Sequence, residues 1–386
     1  MTTSGDTADR IERLADHLAG KGYLFNPRWR TALRAAQRHL FVPVRAWVSP
    51  DVPDAEPYGI DRDQDPDRWW DAAYAEAAIL TQADDGKGDP TRNEGIWTSS
   101  LSAPGIVFAF LEQLDVRDHQ RILEIGTGTG WTAALLAQRV GADNVTSIEI
   151  DPEMAERARA NLAAAGVHPR LILGDGTAGH PDGAPYDRVH VTCGVTDIPA
   201  EWIAQVRPGA VIVLPWMPGF AGGYQARLIA AGDGTAVGRF TGSAGYMMLR
   251  SQRFPPIRCD EPDEAARTTT RLDPRTVARD SAGAALTIAA VLPDVIAASM
   301  LDVNGGFELR LGDRHGSSWA TAAFVPGRAE FNVRQRGDRR LWDEVADAYL
   351  RWVRAGTPAR ERFGMTVTPD DQWLWLDDPA HRLTTA

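Results

Sequence analysis

The sequence contains very little cysteine and has no long apolar segment. Its two cysteines, Cys193 and Cys259, are too few for a framework of disulfides, and their separation does not match zinc-ligand spacing. No run approaches the roughly 20 apolar residues that cross a membrane. The first twenty residues lack the apolar core of a signal peptide. We therefore expect a cytoplasmic protein with no membrane partner.

Basic residues are scarce relative to acidic ones. The 386-residue chain has 41 Lys and Arg against 52 Asp and Glu, which gives a formal net charge of −11. General nucleic-acid binding needs a basic face that contacts the phosphates, so this balance argues against a nucleic-acid partner. The hydrophobic content of 44% and the charged content of 24% are typical of a soluble globular protein. At this length the chain predicts two domains.

The segment RILEIGTGTGW, residues 121–131, is the most informative part of the chain. Its apolar residues before the first glycine predict a short buried strand, and Gly126, Gly128 and Gly130 predict a turn into a helix. Glycine allows positive φ and a close approach of the backbone to a ligand. The first N–H groups of the helix that follows are free to bind it. The segment therefore predicts a ligand-binding turn.

Two classes of nucleotide ligand use such a turn. The dinucleotide fingerprint G-x-G-x-x-G needs a third glycine where this chain has Trp131, which disfavours an oxidoreductase with a nicotinamide cofactor. The pattern is instead G-x-G-x-G preceded by Glu124, and it resembles motif I of the class I S-adenosylmethionine (SAM) methyltransferases. This resemblance implies S-adenosyl-L-methionine as cofactor and S-adenosyl-L-homocysteine as its product. The other alternative is an ordinary glycine-rich turn.

Two further strand ends support the nucleotide interpretation. Residues 144–150 predict a second strand that ends in Glu149, an acid placed to accept both hydrogen bonds of a ribose diol. Asp151-Pro152 predicts the start of a helix. A third strand precedes Asp175, which the resemblance makes the partner of the adenine amino group. The cofactor-binding residues that the resemblance implies are Glu124, Gly126, Thr127, Gly128, Thr129, Gly130, Glu149, Ile150, Asp175 and Gly176.

A serine segment, Ser100-Leu-Ser102-Ala-Pro104, precedes the glycine loop. It resembles the Thr-Ile-Ser-Ala-Pro segment of the protein-L-isoaspartate O-methyltransferases. Residues 38–43 resemble the "R..FVP" pattern of that family and residues 184–191 its "APYD.IHV" strand, and the resemblance covers about residues 8–250. It implies that Ser102 is the active-site serine and that Ser100 replaces the family's threonine. The alternative is a serine-rich cap before a helix.

Other parts of the chain give simpler expectations. Two helices are predicted before residue 37, and residues 44–97 predict an irregular surface connection because they are rich in Pro, Asp and Gly. Asp61, Asp63 and Asp65 alternate like the start of an EF-hand loop, but the required glycine and glutamate are missing, so no metal is expected. His190 predicts a packed, hydrogen-bonded side chain rather than a base. Asp233-Gly234 predicts a hairpin within residues 224–250.

The isoaspartate methyltransferase pattern ends near Pro255. Residues 1–256 are therefore predicted to form a methyltransferase domain with an N-terminal helical extension, and residues 257–386 a C-terminal accessory domain that selects the substrate. A basic stretch in that domain predicts capture of an acidic peptide; it contains Arg328, Arg334, Arg336, Arg339 and Arg340. The alternative is that these arginines pair with nearby acids, while the domain covers an apolar face or forms a dimer. The sequence does not predict the oligomeric state.

The expected fold class is α/β, a class I methyltransferase Rossmann-like doubly wound sheet with added antiparallel strands and a smaller C-terminal α+β domain. The resemblance implies O-methylation of an aspartyl or isoaspartyl carboxylate of a peptide or protein. Such a carboxylate is already ionised at neutral pH, so catalysis needs positioning rather than a general base. The Ser102 hydroxyl suits that task because it donates one hydrogen bond.

The C-terminal extension resembles that of actinobacterial relatives associated with ribosomal peptide tailoring. This implies that the substrate is an aspartate of a ribosomally made modified peptide and that the methyl ester closes to a succinimide (aspartimide). The enzymatic alternatives are a general isoaspartate repair methyltransferase and a small-molecule O-methyltransferase. A SAM-binding protein that only docks a peptide is the non-enzymatic alternative.

Overall fold

The computed structural model describes residues 4–220, 222–260 and 264–384. Their contacts divide the chain into two compact units. The first comprises Met1–Cys193, Pro199–Leu214 and Arg227–Thr235, and the second comprises Gly194–Ile198, Pro215–Ala226 and Ala236–Ala386. The second unit thus includes residues 236–256, which the sequence-based division assigned to the first domain.

The first unit begins with the two predicted helices, α1 (Ser4–Gly20) and α2 (Pro27–Ala35). Helix α1 buries the apolar face that its spacing predicted, including Ile11, Leu14 and Leu18. Helix α2 begins at Pro27 because the side chain of Asn26 accepts a hydrogen bond from the backbone N–H of Arg28 at 3.0 Å. Both helices confirm the prediction from periodicity and capping residues.

The prediction of an irregular connection over residues 44–97 is wrong. These residues and the serine segment form a four-stranded antiparallel sheet in the order β2-β1-β3-β4, with helix α3 after β2. The elements are β1 (Arg45–Pro50), β2 (Tyr58–Asp61), α3 (Pro66–Ala73), β3 (Ala77–Ala83) and β4 (Trp97–Leu101). The turn residues separate short apolar segments whose side chains, such as Val48 and Ile79, are fully buried. Burial of these segments outweighs the breaker residues between them.

The central sheet of the first unit contains parallel strands with helices between them. After α4 (Pro104–Gln113), its elements are β5 (Ile122–Ile125), α5 (Trp131–Val140), β6 (Val145–Glu149), α6 (Pro152–Ala164), β7 (Arg170–Leu173), β8 (Tyr186–Val191), α7 (Ala200–Ala204), β9 (Val206–Trp216) and β10 (Gly223–Ala230). The strand order is β10-β9-β8-β5-β6-β7. Strands β6 and β7 lie on one side of β5, and β8 and β9 lie on the other. This is the predicted doubly wound sheet, and its strand order reverses at β5.

The second unit contains a separate five-stranded antiparallel sheet with helices before and after its strands. Its elements are β11 (Ala236–Ala244), β12 (Ala266–Thr270), α8 (Pro274–Arg279), α9 (Ala282–Val291), β13 (Val295–Leu301), β14 (Phe307–Asp313), β15 (Trp319–Phe324), β16 (Phe331–Arg336), α10 (Leu341–Arg354), β17 (Phe363–Val367) and β18 (Gln372–Leu376). The five-stranded order is β12-β16-β15-β14-β13, while β18, β17 and β11 pair antiparallel in that order. Helix α10 buries an apolar face that includes Leu341, Val345 and Trp352, and β18 pairs with β17.

The predicted basic stretch of the second unit consists largely of paired arginines. Arg334 lies 3.7 Å from Glu308, and Arg336 lies 3.1 Å from Glu264. Arg339 binds Glu344 and Asp294, both at 2.5 Å. Three of the five arginines therefore follow the alternative in which they pair with acids, and their charge is largely neutralised locally.

The alternating aspartates that resemble an EF-hand have structural roles. The Asp61 side chain accepts a hydrogen bond from the backbone N–H of Asp63, and Asp65 caps the start of α3. Within residues 4–220, 222–260 and 264–384, no group of three or more His, Cys, Asp or Glu side chains is placed to hold a metal ion. None of the helices in these ranges is long and apolar enough to span a membrane.

Candidate functional site

The glycine loop lies where the strand order of the central sheet reverses. Strand β5 pairs with β6 on one side and β8 on the other, and the loop follows its carboxyl end, which is where such sheets bind ligands. All three loop glycines have positive φ. A Cβ on Gly126 would lie 2.6 Å from the Thr192 hydroxyl oxygen, so packing alone requires glycine there. A Cβ on Gly128 would meet no atom closer than 3.6 Å, which leaves space beside that residue.

Glu124 lies beneath the loop rather than at its surface. Its side chain is 0% exposed, and its Oε2 accepts a hydrogen bond from the Ser147 hydroxyl at 2.5 Å. The same hydroxyl lies 2.6 Å from the Thr127 hydroxyl in the loop. The structure thus gives this predicted cofactor residue a supporting role, because the chain Glu124–Ser147–Thr127 ties the loop to two strands of the sheet.

Glu149 and Asp175 follow neighbouring strands, as predicted. Glu149 accepts backbone hydrogen bonds from Gly128 at 2.8 Å and from Asp151 at 3.0 Å, one on each carboxylate oxygen. Each oxygen keeps a second lone pair for a ribose hydroxyl. Burial raises the pKa of Glu149 above its ordinary value. Asp175 is exposed, and its side chain accepts a hydrogen bond from the backbone N–H of Thr177.

Cys193 lies within electrostatic range of both Glu149 and Asp175. Burial raises the pKa of its thiol to about 12, and the charges of Glu149 and Asp175 act in the same direction. The thiol is therefore neutral at physiological pH and unsuited to nucleophilic attack. Sequence reasoning missed this residue as a neighbour of the site, although it directly follows the strand that resembles the family's "APYD.IHV".

The serine segment lies against the glycine loop. The backbone carbonyl oxygen of Ser100 lies 3.6 Å from the position of a Cβ built on Gly128. The serine segment and the glycine loop are therefore in contact. Ser102 lies between β4 and α4 and is half-buried. Among the described residues, its hydroxyl has no hydrogen-bond partner. The Ser102 hydroxyl therefore remains available as a donor, two residues after the Ser100 carbonyl that meets the loop, and it does not cap α4.

Arg38 holds this segment in place, a role that the sequence did not reveal. Its side chain is 0% exposed and donates hydrogen bonds to the carbonyl oxygens of Ala73 at 2.8 Å, Ala77 at 2.9 Å and Ser102 at 3.1 Å. Its guanidinium also lies 5.2 Å from the ring centroid of Trp131, the first residue of α5. Burial lowers the pKa of Arg38 to about 10, so it stays charged. The "R..FVP" pattern was the only sequence signal for it.

His190 is packed as predicted, but the prediction that its side chain is hydrogen-bonded is wrong. It is 1% exposed, and its ring stands edge-on to Phe110 with centroids 6.1 Å apart. Its Nδ1 lies 3.9 Å from Glu124, and neither ring nitrogen has a hydrogen-bond partner among the described residues. The histidine is buried under the loop, so it is not placed to act as a base.

The residues at this edge fit the predicted cofactor. Ile150 and Leu173 are 36% and 56% exposed, and they offer apolar contact to a base between the acids Glu149 and Asp175. The space beside Gly128 adjoins both the serine segment and Glu149. A nucleoside with a cationic sulfonium tail needs these features: an acid for the ribose, an apolar surface for the base and a glycine loop for the tail.

The comparison with known proteins agrees with this geometry. Residues 59–249 match the family model described as Protein-L-isoaspartate(D-aspartate) O-methyltransferase (PCMT). A solved structure titled protein-L-isoaspartate O-methyltransferase superposes with a TM-score of 0.54 at 19% identity, covering 95% of this chain and 100% of that one. That likeness confirms the predicted fold.

Two archaeal relatives show how far the sequence similarity extends. The chain is 44% identical over 117 residues to the protein-L-isoaspartate O-methyltransferase of Pyrococcus horikoshii, a match that spans about half of that relative (53%) and 30% of this chain. It is 34% identical over 212 residues to protein-L-isoaspartate O-methyltransferase 2 of Archaeoglobus fulgidus, covering 80% of that relative and 54% of this chain. The chain therefore belongs to the protein-L-isoaspartate O-methyltransferase family of class I methyltransferases, whose methyl donor is S-adenosyl-L-methionine.

Proposed function

We propose that this protein is a SAM-dependent O-methyltransferase that esterifies an aspartyl or isoaspartyl carboxylate of a peptide or protein. The observation that carries the proposal is the hydroxyl of Ser102, which has no hydrogen-bond partner among the described residues and lies two positions after the Ser100 carbonyl that meets the glycine loop. A bound carboxylate accepts one hydrogen bond from Ser102 and keeps its other lone pairs for attack. When bound, the cofactor supplies an electrophilic methyl group.

The residues of the site have separate roles in this proposal. Glu149 and Asp175 hold the ribose and the adenine, and Ile150 contacts the base. The glycine loop holds the remainder of the cofactor, with Glu124 as its support from below. Arg38 fixes the backbone at Ser102, and this limits the carboxylate to one orientation. No protein base is required because the nucleophile is already an anion at neutral pH.

The finer proposal is that the carboxylate belongs to an aspartate of a ribosomally made modified peptide. The support is the second unit, since residues 250–386 lie beyond the part of the chain that matches the family model. A unit of this size can add contacts with one partner beyond the methylated residue, and such contacts select that partner over others. The nitrogen of the next peptide bond then attacks the methyl ester, loses its proton, expels methanol and closes a succinimide.

To test the proposal, the purified protein is incubated with SAM and with each of three matched peptides, which contain isoaspartate, aspartate or asparagine at one position. Mass spectrometry then separates the candidates. Methyl transfer adds about 14 Da, and later closure leaves a net loss of about 18 Da from the starting peptide. Methylation of the isoaspartyl peptide alone supports the repair alternative. If the protein binds S-adenosyl-L-homocysteine but methylates neither acidic peptide, the proposal is wrong. That result would favour a small-molecule substrate or a role in peptide docking without catalysis.

A further inference from the structure

A cavity of about 600 Å³ lies within the second unit, at one end of the five-stranded sheet. Residues 255–260, which precede β12, line one side of it. Residues 312–319, which include the turn between β14 and β15, line the other, together with Arg336 and Gly337 after β16. A Cβ on Gly312 would lie 3.3 Å from Ile257, so the two sides are closely packed at that point. The cavity is large enough for several side chains of a peptide.

Three arginines contribute to the cavity wall. Arg258 is exposed and forms no ion pair, hydrogen bond or ring contact in the described part of the chain. Arg314 is held by Asp197 at 3.1 Å and by the ring of Phe254 at 5.3 Å. Arg336 adds a third guanidinium, paired with Glu264. Arg258 therefore has its donors left for a ligand, and Arg314, whose side chain is 27% exposed, adds a partly accessible guanidinium.

The wall also contains two acids, Asp313 and Asp260. Asp313 is buried and accepts four hydrogen bonds, from the N–H groups of His315, Ser317 and Ser318 and from the Ser317 hydroxyl. Burial alone would raise the pKa of Asp313, but these hydrogen bonds outweigh it and lower the pKa. Its oxygens are occupied by the turn. Asp260 is exposed and remains an opposing charge.

We propose that this cavity binds a carboxylate-bearing segment of the peptide substrate, with Arg258 and Arg314 as the groups that recognise it. The inference rests on the proposed function for the identity of the ligand as a peptide. A guanidinium presents a planar fork that matches a carboxylate. Ile257, Ile296 and Trp319 provide apolar surface for the stem of the acidic side chain. The guanidinium of Arg258 gives an acidic peptide a local attraction, which the net charge of −11 opposes elsewhere.

Of the five arginines in the basic stretch that the sequence predicted, Arg336 alone lines this cavity. Arg334 and Arg339 of that stretch are paired with acids and do not line the cavity. Arg328 is exposed and unpaired within the described residues, and it also lies outside the cavity wall. Arg328 is therefore a matched control for Arg258: both are exposed arginines of the second unit without a protein partner.

The experiment measures fluorescence anisotropy of short labelled peptides with the full-length protein. One peptide carries glutamates and an amidated C-terminus, the second carries glutamines and a free C-terminal carboxylate, and the third carries glutamines and an amidated C-terminus. We expect the third peptide to bind most weakly. Comparison of the first and second peptides shows whether the cavity binds a side-chain carboxylate or the terminal carboxylate.

Arg258→Ala should weaken binding of the preferred peptide about tenfold, the loss expected for one charge-assisted hydrogen bond, and Arg258→Glu should weaken it further. Arg328→Ala should leave it unchanged.

Two outcomes overturn the inference: equal losses from Arg258→Ala and Arg328→Ala, or equal binding of all three peptides. Calorimetry with S-adenosyl-L-homocysteine and the mass-spectrometric assay test the methyltransferase proposal independently of the peptide-binding cavity. Carboxylate-dependent binding through Arg258 without any methylated peptide supports the cavity and counts against the methyltransferase proposal. Normal methylation with binding that ignores Arg258 counts against the cavity alone.

Discussion

The guanidinium of Arg38 and the carbonyl oxygen of Ser102 are joined by a hydrogen bond of 3.1 Å, although the residues are 64 positions apart in the chain. The same guanidinium binds the carbonyl oxygens of Ala73 and Ala77 and lies over the ring of Trp131. One buried cation thus connects the serine segment, the segment between α3 and β3, and the helix that follows the glycine loop. The position of the proposed catalytic serine therefore depends on residues outside the motif that contains it.

Replacing Arg38 should affect both stability and turnover. Arg38→Lys keeps a charge but loses the planar fork, so several buried carbonyl oxygens lose their donor. We expect a loss of about 2–4 kcal/mol in the free energy of unfolding. At temperatures where the variant is folded, kcat should fall while the affinity for S-adenosyl-L-homocysteine stays the same, because Arg38 orients Ser102. Urea unfolding, kinetics and calorimetry measure the three quantities.

Arg45→Lys is the control for that experiment. Its side chain is 65% exposed and lies 3.3 Å from Asp61, so its loss should change stability by less than about 0.5 kcal/mol. A folded Arg38→Lys protein with wild-type kcat would show that Arg38 supports only the fold.

Ser102→Ala should lower kcat roughly tenfold to hundredfold, since the variant loses one hydrogen bond to a charged substrate group. Affinity for S-adenosyl-L-homocysteine should not change, because in the proposed function the hydroxyl binds the carboxylate substrate. Ser99→Ala serves as the comparison. The Ser99 hydroxyl accepts a hydrogen bond at 3.1 Å from Thr81 of the neighbouring strand β3, so its loss should have little effect on kcat. Ser100→Ala should fall between the two. Undiminished turnover by Ser102→Ala would mean that the serine is misassigned.

The fold of the central sheet was predictable because its signals are local. A short apolar segment, a glycine loop and an acid at the next strand end predicted the parallel strands and the helix starts at Trp131 and Pro152. The sheet within residues 44–97 was not predictable, because breaker residues outnumber the short apolar segments that pair. The pairing of β1 with β3, for example, is decided by burial of side chains from two segments that are separated by 26 residues, 51–76.

The site was predictable in its residue types but not in their depth. Glu124 precedes the loop in the expected pattern, yet whether an acid lies above or below a loop depends on which neighbours bind it. Here Ser147 lies beneath the loop and takes the carboxylate. In the same way, the basic stretch around Arg339 lost its predicted charge because Asp294 and Glu344 reach it in the folded protein. Such long-range pairs leave no sequence pattern.

Glu149 should make cofactor binding depend on pH. Only the ionised carboxylate accepts hydrogen bonds on both oxygens, and burial raises its pKa. A raised pKa means that the carboxylate takes up a proton at a higher pH than an exposed glutamate does. Affinity for S-adenosyl-L-homocysteine should therefore fall as the pH is lowered, and the fall should begin at a higher pH than the one at which an exposed glutamate takes up its proton. Calorimetry at a series of pH values measures it.

Glu149→Gln is the matched variant, because it keeps the shape of the side chain and removes its titration. It should bind S-adenosyl-L-homocysteine about tenfold more weakly at neutral pH, with little further change on acidification. The same pH dependence in both proteins would assign the titration to another group and remove Glu149 from the ribose site.

Gly128 and Gly130 should respond differently to the same substitution, which separates a ligand-facing glycine from a packed one. Gly128 has φ of +57°, within the left-handed region that asparagine tolerates, and a Cβ there meets no atom within 3.6 Å. Gly130 has φ of +96°, and its Cβ would lie 3.2 Å from Leu162 in α6. Gly128→Asn should therefore lower stability by less than about 1 kcal/mol, whereas Gly130→Asn should cost more than about 2 kcal/mol.

The effects of the two substitutions on cofactor affinity should be in the opposite order. The new side chain of Gly128→Asn stands in the space beside the loop and should weaken S-adenosyl-L-homocysteine at least tenfold, while the folded fraction of Gly130→Asn binds it nearly normally. Thermal unfolding and calorimetry on both variants decide the matter. Wild-type affinity in Gly128→Asn would place the cofactor away from this loop.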